Sequence, residues 1–411
     1  METNQDLNSL NFEKTEPVVN PVSSNINRVG VSKFPLQKTK TPFGKNYVWG
    51  FFGILIAILV IGGFLFTILN KSGAKVLSPF DDGPNGPSAG SDKTVSHPLT
   101  GVMYTEEESK DWNGKRPIGV MINNHTDARP QWGISQADIV YEMVAEGGIT
   151  RYLAFFLTDM PEKLGPIRSI REYYLVLVKE LGDAAIMHIG WSPQALVAIE
   201  SWPVRSLARG GATFDRDQPR LDQGIATEHT AYSGGPYLRE LAESLGWEGV
   251  SEFNIWKFKD DSPVNQADEA AVKSNQITVD FWYKGDYSAI FKYNQSNNSY
   301  QKFTGYDGSD LPLPVLDANN TSQVEVKNVI IQFVPELSIE GDDKGRLDYE
   351  LIGSGEGIVF FDGTYQKITW NKSERDIRTV YYDLNGNEVQ FNRGRFWISI
   401  VPDRNMEQVV Y

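Results

Sequence analysis

A chain of 411 residues, 40% hydrophobic and 12% aromatic, is long enough for two domains and apolar enough to give them cores. With 39 Lys and Arg against 53 Asp and Glu, the net charge of -14 excludes a general nucleic-acid coat, so any anion site must be a local basic cluster working against the overall field. The absence of cysteine excludes disulfides, thiolate metal sites, thiol nucleophiles and lipidation through sulfur.

Residues 1–46 are polar, without apolar periodicity, and read as a disordered cytoplasmic tail. Residues 47–69, YVWGFFGILIAILVIGGFLFTIL, carry no charge and would span roughly 34 Å as a helix, enough to cross a bilayer. Arg28, Lys33, Lys38, Lys40 and Lys45 precede this segment and only Lys71 and Lys75 closely follow it, which predicts a single-pass membrane protein with everything after residue 70 outside the cell. Residues 70–100, rich in Gly, Pro, Ser and Asp, read as a flexible stalk that includes His97.

Strands and helices then alternate, which predicts an α/β domain over 101–255. RPIGVMIN is strand-like. DIVYEMVAE, the pair Gly147-Gly148, and ITRYLAFFLT predict a β-hairpin. Strict alternation across it puts Glu142 and Glu146 on one face, with Arg151 diagonal to both. IRSIREYYLVLVKELG has helical spacing closed by Gly182, AAIMHIGW is a strand, and SPQALVAIESW is a helix with Ser192 as N-cap. Residues 256–274 read as a polar linker, and 275–411 as an antiparallel all-β lobe with turns of the NG, DG and RG types.

In the helix reading, Arg168 and Arg171 stand at i and i+3 in the opening turns, where the helix dipole favours acids. Two guanidinium forks beside free backbone N–H groups would receive a phosphate, sulfate or carboxylate; the alternative is ordinary surface pairing with Glu162 or Glu172. His125, His188 and His229 fall at strand ends or in strand-to-helix loops. Their sequence spacing shows no HxxxH or HxH pattern, so no metal and no cofactor is expected.

The strings RPIGVMINNHTDARPQWGISQADIVYEMVAEGGITRYLAFF, GPIRSIREYY and HIGWSPQA resemble the N-terminal domain of the YerB family of Gram-positive envelope lipoproteins, and GSGEGIVFFDGTYQKITW onwards resembles its C-terminal β domain. The resemblance covers about 115–402 and brings no firm activity with it. It implies that His125, Arg129, Gln131, Glu142, Glu146, Arg151, Arg168, Arg171, His188 and Ser192 hold the family's motif positions, with His229 a looser match. The family's usual anchor is a lipid on an N-terminal cysteine, which this chain lacks; the segment at 47–69 takes its place.

Two functions follow as expectations. The first is binding of an anionic group, from a cell-wall polymer or a peptide carboxylate, in a cleft of Arg168, Arg171, Arg151, Glu142, Glu146, His188, His125 and Arg129. An envelope protein partner is also expected, and nucleic acid is not. The second is hydrolysis or group transfer on the same polymers, with Glu142 or Glu146 as acid or base and His188 or His125 assisting.

Overall fold

The computed structural model describes residues 93–208, 213–249, 252–265 and 272–411. The expected tail, the membrane span at 47–69 and most of the stalk lie outside them; among the described residues no helix is long and apolar enough to cross a membrane.

The strands and longer helices that position the site are, in chain order, β1 (Ile118–Asn123), β2 (Ile139–Glu146), β3 (Ile149–Phe156), α1 (Glu172–Glu180), β4 (Ala185–Met187), α2 (Pro193–Ser201), α3 (Gly235–Ser244), β5 (Gln276–Val279), β6 (Ala289–Asn294), β7 (Ser299–Tyr306), β8 (Asn328–Val334), β9 (Gly353–Phe361), β10 (Thr364–Lys372), β11 (Val380–Asp383), β12 (Phe396–Pro402) and β13 (Val409–Val410). The architecture is mostly sheet with few helices. Nine strands form one sheet in the order β11-β10-β9-β8-β12-β2-β3-β1-β4. Both sequence segments expected as separate lobes therefore contribute to the same sheet.

The join is β12. It runs parallel to β8 on one side and parallel to β2 on the other, from Phe396 opposite Ile139 to Ser399 opposite Glu142. A parallel return needs a long connection, and the antiparallel meander β9–β11 supplies it. The expectation of an all-antiparallel C-terminal segment fails here for that reason. Strands buried on both faces read as continuous apolar runs, and β1, β8 and β12 are buried at every position.

A second sheet contains β7, β6, β5 and β13 in that order. It lays Phe291 and Lys302 against the inner face of the large sheet. Trp397 lies 6.2 Å from Phe291, ring to ring, and its indole N–H donates to Glu142 Oε2 at 2.9 Å. Lys302 Nζ is 3.5 Å from the same carboxylate, and both residues are fully buried. Thr150 Oγ1 donates to Glu142 Oε1 at 3.0 Å. Burial pulls the Lys302 ammonium down to about 8, with Glu142 opposing.

Three other polar contacts tie the C-terminal residues to the N-terminal ones. The buried Asp317 carboxylate accepts from the Gly133 and Ser135 amides at 3.0 and 2.9 Å and from Ser135 Oγ at 2.7 Å. Glu180, at the end of α1, accepts from Lys372 Nζ at 3.0 Å, Thr379 Oγ1 at 2.9 Å and Tyr141 at 2.7 Å. The segment expected as a linker opens on the buried Trp256, with Arg378 stacked 3.6 Å above its ring, and continues as Lys257–Lys259 paired with Gln390–Asn392.

The end of the expected stalk is folded. His97 is fully buried, meets Trp112 edge-on at 4.6 Å, and is hydrogen-bonded to Thr100 Oγ1 and Thr158 Oγ1 at 2.9 and 3.0 Å. Burial lowers its pKa, against the pull of Asp138 and Asp159. An unfolded chain therefore binds this proton more readily than the native one. Stability should fall as pH drops through about 6.5, and His97→Gln should flatten that part of a urea-denaturation pH profile. The buried pair gives a second expectation. Glu142→Ala strands Lys302 in the interior and should cost about 3–5 kcal/mol in chemical denaturation, and adding Lys302→Met should recover much of the loss.

Candidate functional site

The hairpin forms where the sequence places it. Gly147 and Gly148 take φ values of 61° and 76°, which a two-residue turn of this hand requires. The register differs from strict alternation by one residue. Glu146 pairs with Ile149, but Val144 pairs with Thr150 and Met143 with Arg151, so Ala145 is a bulge. One extra residue reverses every facing position beyond it. Glu142 thus points into the dry interior with Lys302, while Glu146 and Arg151 reach the opposite face under α1. The shared acidic face expected for Glu142 and Glu146 does not exist.

The arginine segment also differs. The α-helix starts at Glu172, with Arg171 as its extended N-cap (φ -119°, ψ 160°) and Arg168 three residues earlier. The backbone of 165–170 is already committed elsewhere. Ile167 N–H donates to Ala231 O at 2.7 Å, Arg168 N–H to Met121 O at 2.9 Å, and Ile170 N–H to Gly190 O at 3.1 Å, while Pro166 O accepts from Asn123 N–H at 2.8 Å. Those bonds hold the segment extended between the end of β1 and residue 231, so Arg168 and Arg171 are not an i, i+3 helical pair. Glu172 at the first helical position then meets the dipole's preference.

Arg171 nonetheless points inward. Its Nε is ion-paired with Glu146 Oε1, Arg151 Nη2 lies 2.7 Å from Glu146 Oε2, and Arg151 Nη1 donates to Ser169 O at 2.7 Å. Neither Glu162 nor Glu172 is the partner. Burial pushes the Glu146 carboxyl up, but the Arg171 hydrogen bond and the charges of Arg151, Arg171 and Arg346 reverse this, leaving it below its ordinary range. Burial and the neighbouring Arg171 charge pull Arg151 down to about 10. Arg168 is half-buried beside them, and its guanidinium makes no hydrogen bond or ion pair among the described residues. Burial lowers its pKa, Glu228 opposes, and Arg171 lowers it further.

Beyond Arg171 opens a cleft of about 260 Å³ lined by Arg171, Glu172, Ser192, Gln194, Arg346 and Asp348, among others. The starts of α1 and α2 both border it. Ser192 is the N-cap of α2, accepting from Ala195 N–H at 3.2 Å.

His125 and His229, distant in sequence, stack with ring centroids 4.3 Å apart and planes at 18°. Asp127 joins them, so that one ligand-type atom from each lies within 4.8 Å of the others. Asn123 and Asp127 are thus site neighbours that sequence reasoning did not single out; their only mark was the polar run NNHTD at a strand end. Burial, then the His125 and Arg168 charges, lower the His229 pKa.

Two predicted residues are elsewhere. His188 is fully buried, bonded to Ser206 Oγ at 2.8 Å and Gly190 O at 3.0 Å. Arg129 spans to the C-terminal residues, donating to Asn124 O at 3.0 Å and Asp286 O at 2.8 Å. Gln131 supports that turn through Asn124 Oδ1 at 3.1 Å. The acid–base alternative thereby loses its carboxylates: Glu142 is sealed in the core and Glu146 is clamped by two guanidinium groups.

This is a mostly-sheet protein with a polar, arginine-rich face at the ends of β1 and β2. The chain is a member of the DUF3048 family: residues 99–248 match its N-terminal domain and residues 277–398 its C-terminal domain, each described as a protein of unknown function. It is 33% identical over 313 residues to the "Putative lipoprotein YerB" of Bacillus subtilis (strain 168), covering 76% of this chain and 87% of that one. The crystal structure of YerB from Bacillus subtilis superposes with a TM-score of 0.63 at 30% identity, covering 77% of this chain and 99% of that one.

Glu146→Gln should leave Arg151 buried without its counter-charge and cost about 2 kcal/mol at pH 7. Because the native carboxyl sits below its ordinary value of 4.5, its contribution is complete above that value and is lost as pH falls through the native one. The gap between wild type and variant in urea denaturation should therefore narrow as pH falls below 4.5.

Proposed function

We propose that this protein is held outside the cell membrane through residues 47–69 and binds an anionic group of a cell-wall polymer at its arginine face. The observation that carries the reading is the charge balance. Arg151 and Arg171 both pair with Glu146, whereas Arg168 beside them has only the charges of Glu228 and Glu146 nearby, with no ion pair to either. Arg168 remains half-buried with its donors unspent. Holding an unpaired guanidinium away from water is costly, and an incoming anion relieves that cost with charge-assisted hydrogen bonds. Glu146 serves as the orienting group, fixing Arg171 and Arg151 by contacts to both of its oxygens.

The relative's printed description as a lipoprotein supports the tethered position, since a lipid and a membrane-spanning helix both leave the folded part beside the bilayer.

Arg168→Ala should weaken binding of the full chain to purified wall polymer by about tenfold or more, roughly 1.4 kcal/mol, without lowering the melting temperature. Wild-type binding should weaken as salt is raised, since the contact is electrostatic and partly exposed. Equal binding by wild type and variant discards the role of Arg168.

A further inference from the structure

His125, Asp127 and His229 are spaced like metal ligands, but their hydrogen bonds give them another chemistry. The Asp127 backbone N–H can only donate, and it donates to His125 Nδ1 at 3.2 Å. His125 Nδ1 is therefore an acceptor, and the proton of the neutral ring is on Nε2. The same logic holds for His229 through Asn123. Asn123 Oδ1 accepts from the His125 backbone N–H at 3.0 Å, and its Nδ2 donates to the Glu228 carbonyl at 3.3 Å. Two backbone groups that cannot exchange roles thus fix which end of the amide is which. Nδ2 then faces His229 Nδ1 at 2.9 Å as a donor, so His229 also carries its proton on Nε2. Neither ring has a lone pair free for a cation. The hydrogen bonds that the two rings make among the described residues are through Nδ1, which leaves each Nε2–H without a partner there.

We propose that the Nε2–H groups of His125 and His229, together with the Arg168 guanidinium, form a receptor for a phosphate group. This rests on the anion-binding reading above and names the anion. Three segments place the donors: the end of β1 carries His125, the extended rib 166–168 carries Arg168, and the turn before residue 231 carries His229, all laced by the backbone bonds from Met121, Asn123 and Ala231. The two ring centroids lie 4.3 Å apart with planes at 18°, so the stacked pair offers two donors rather than one. A carboxylate gripped by one guanidinium fork offers the imidazoles only the remaining lone pair on each oxygen, and those lie in the fork's plane. A tetrahedral phosphate has oxygens outside that plane for both rings. Burial first, then the neighbouring His125 and Arg168, hold His229 below its ordinary pKa, so near pH 7 the ring keeps only the Nε2 proton. Two exposed carboxylates, Asp127 and Glu228, rim the site and oppose an anion.

The test is NMR of the full chain in detergent with ¹⁵N-labelled histidine, titrated in parallel with inorganic phosphate, dimethyl phosphate and acetate. Both rings should report the Nε2–H form, phosphate should shift them at concentrations where acetate does not, and Arg168→Ala should weaken that response about tenfold. Glu228→Gln, which removes only a rim charge, should strengthen it a few-fold. A response to dimethyl phosphate as well as to inorganic phosphate supports a polymer diester as the source; a response to inorganic phosphate alone supports a free or terminal phosphate. Nδ1–H rings overturn the receptor. An acetate response equal to that of phosphate overturns the choice of anion but leaves the anion-binding reading standing. No response to any of the three, with wall-polymer binding intact, overturns the receptor alone; loss of both overturns both.

Discussion

The structure depends on one strand near the end of the chain. β12 is hydrogen-bonded to β8 and β2 at once, and the indole of its Trp397 reaches the Glu142 carboxylate that Lys302 also approaches. This contact combines an extended main-chain ladder with a buried charge pair whose partners come from separate regions of the sequence. Hydrophobic burial accounts for most of the cohesion, but Trp397, Lys302 and Glu142 also fix the register at which the large sheet meets the second one. A slip of one residue would bury an ammonium without its carboxylate.

Fixing that register sets the site on the far side of the sheet. Glu142 is consumed by the interior, so the hairpin needs a change of parity to offer a second glutamate to α1, and the bulge at Ala145 provides it. The same strand thus anchors the core with one acid and orients two arginines with the other. Arg151 carries the constraint onward through its bond to Ser169 O, which holds the segment from which Arg168 and Arg171 project.

Much of this was legible in the residues. The hairpin was readable because its two glycines sit between apolar runs of strand length, and Ser192 because a hydroxyl before a proline-led helix has few other uses. The bulge was not, since Val144 and Ala145 are both apolar and the alternation looks unbroken through them. The late start of α1 was hidden for a different reason. Residues 167–171 have helical spacing of their apolar positions, yet the carbonyls of Met121, Ala231 and Gly190 claim their amides, and no local window contains those partners. The stacking of His125 on His229 was likewise a long-range event, marked only by the polar run at the end of β1.

The position of β12 also has a consequence in time. A ribosome completes residues 118–156 long before it reaches 396–402. Until then β2 and β8 each present a raw edge of unsatisfied amides and carbonyls, the kind of border on which stray strands assemble. The nascent chain therefore lives with one open seam for most of its synthesis and with two once β8 is made, and a transcript cut short by only a few dozen codons would yield a product that never closes them.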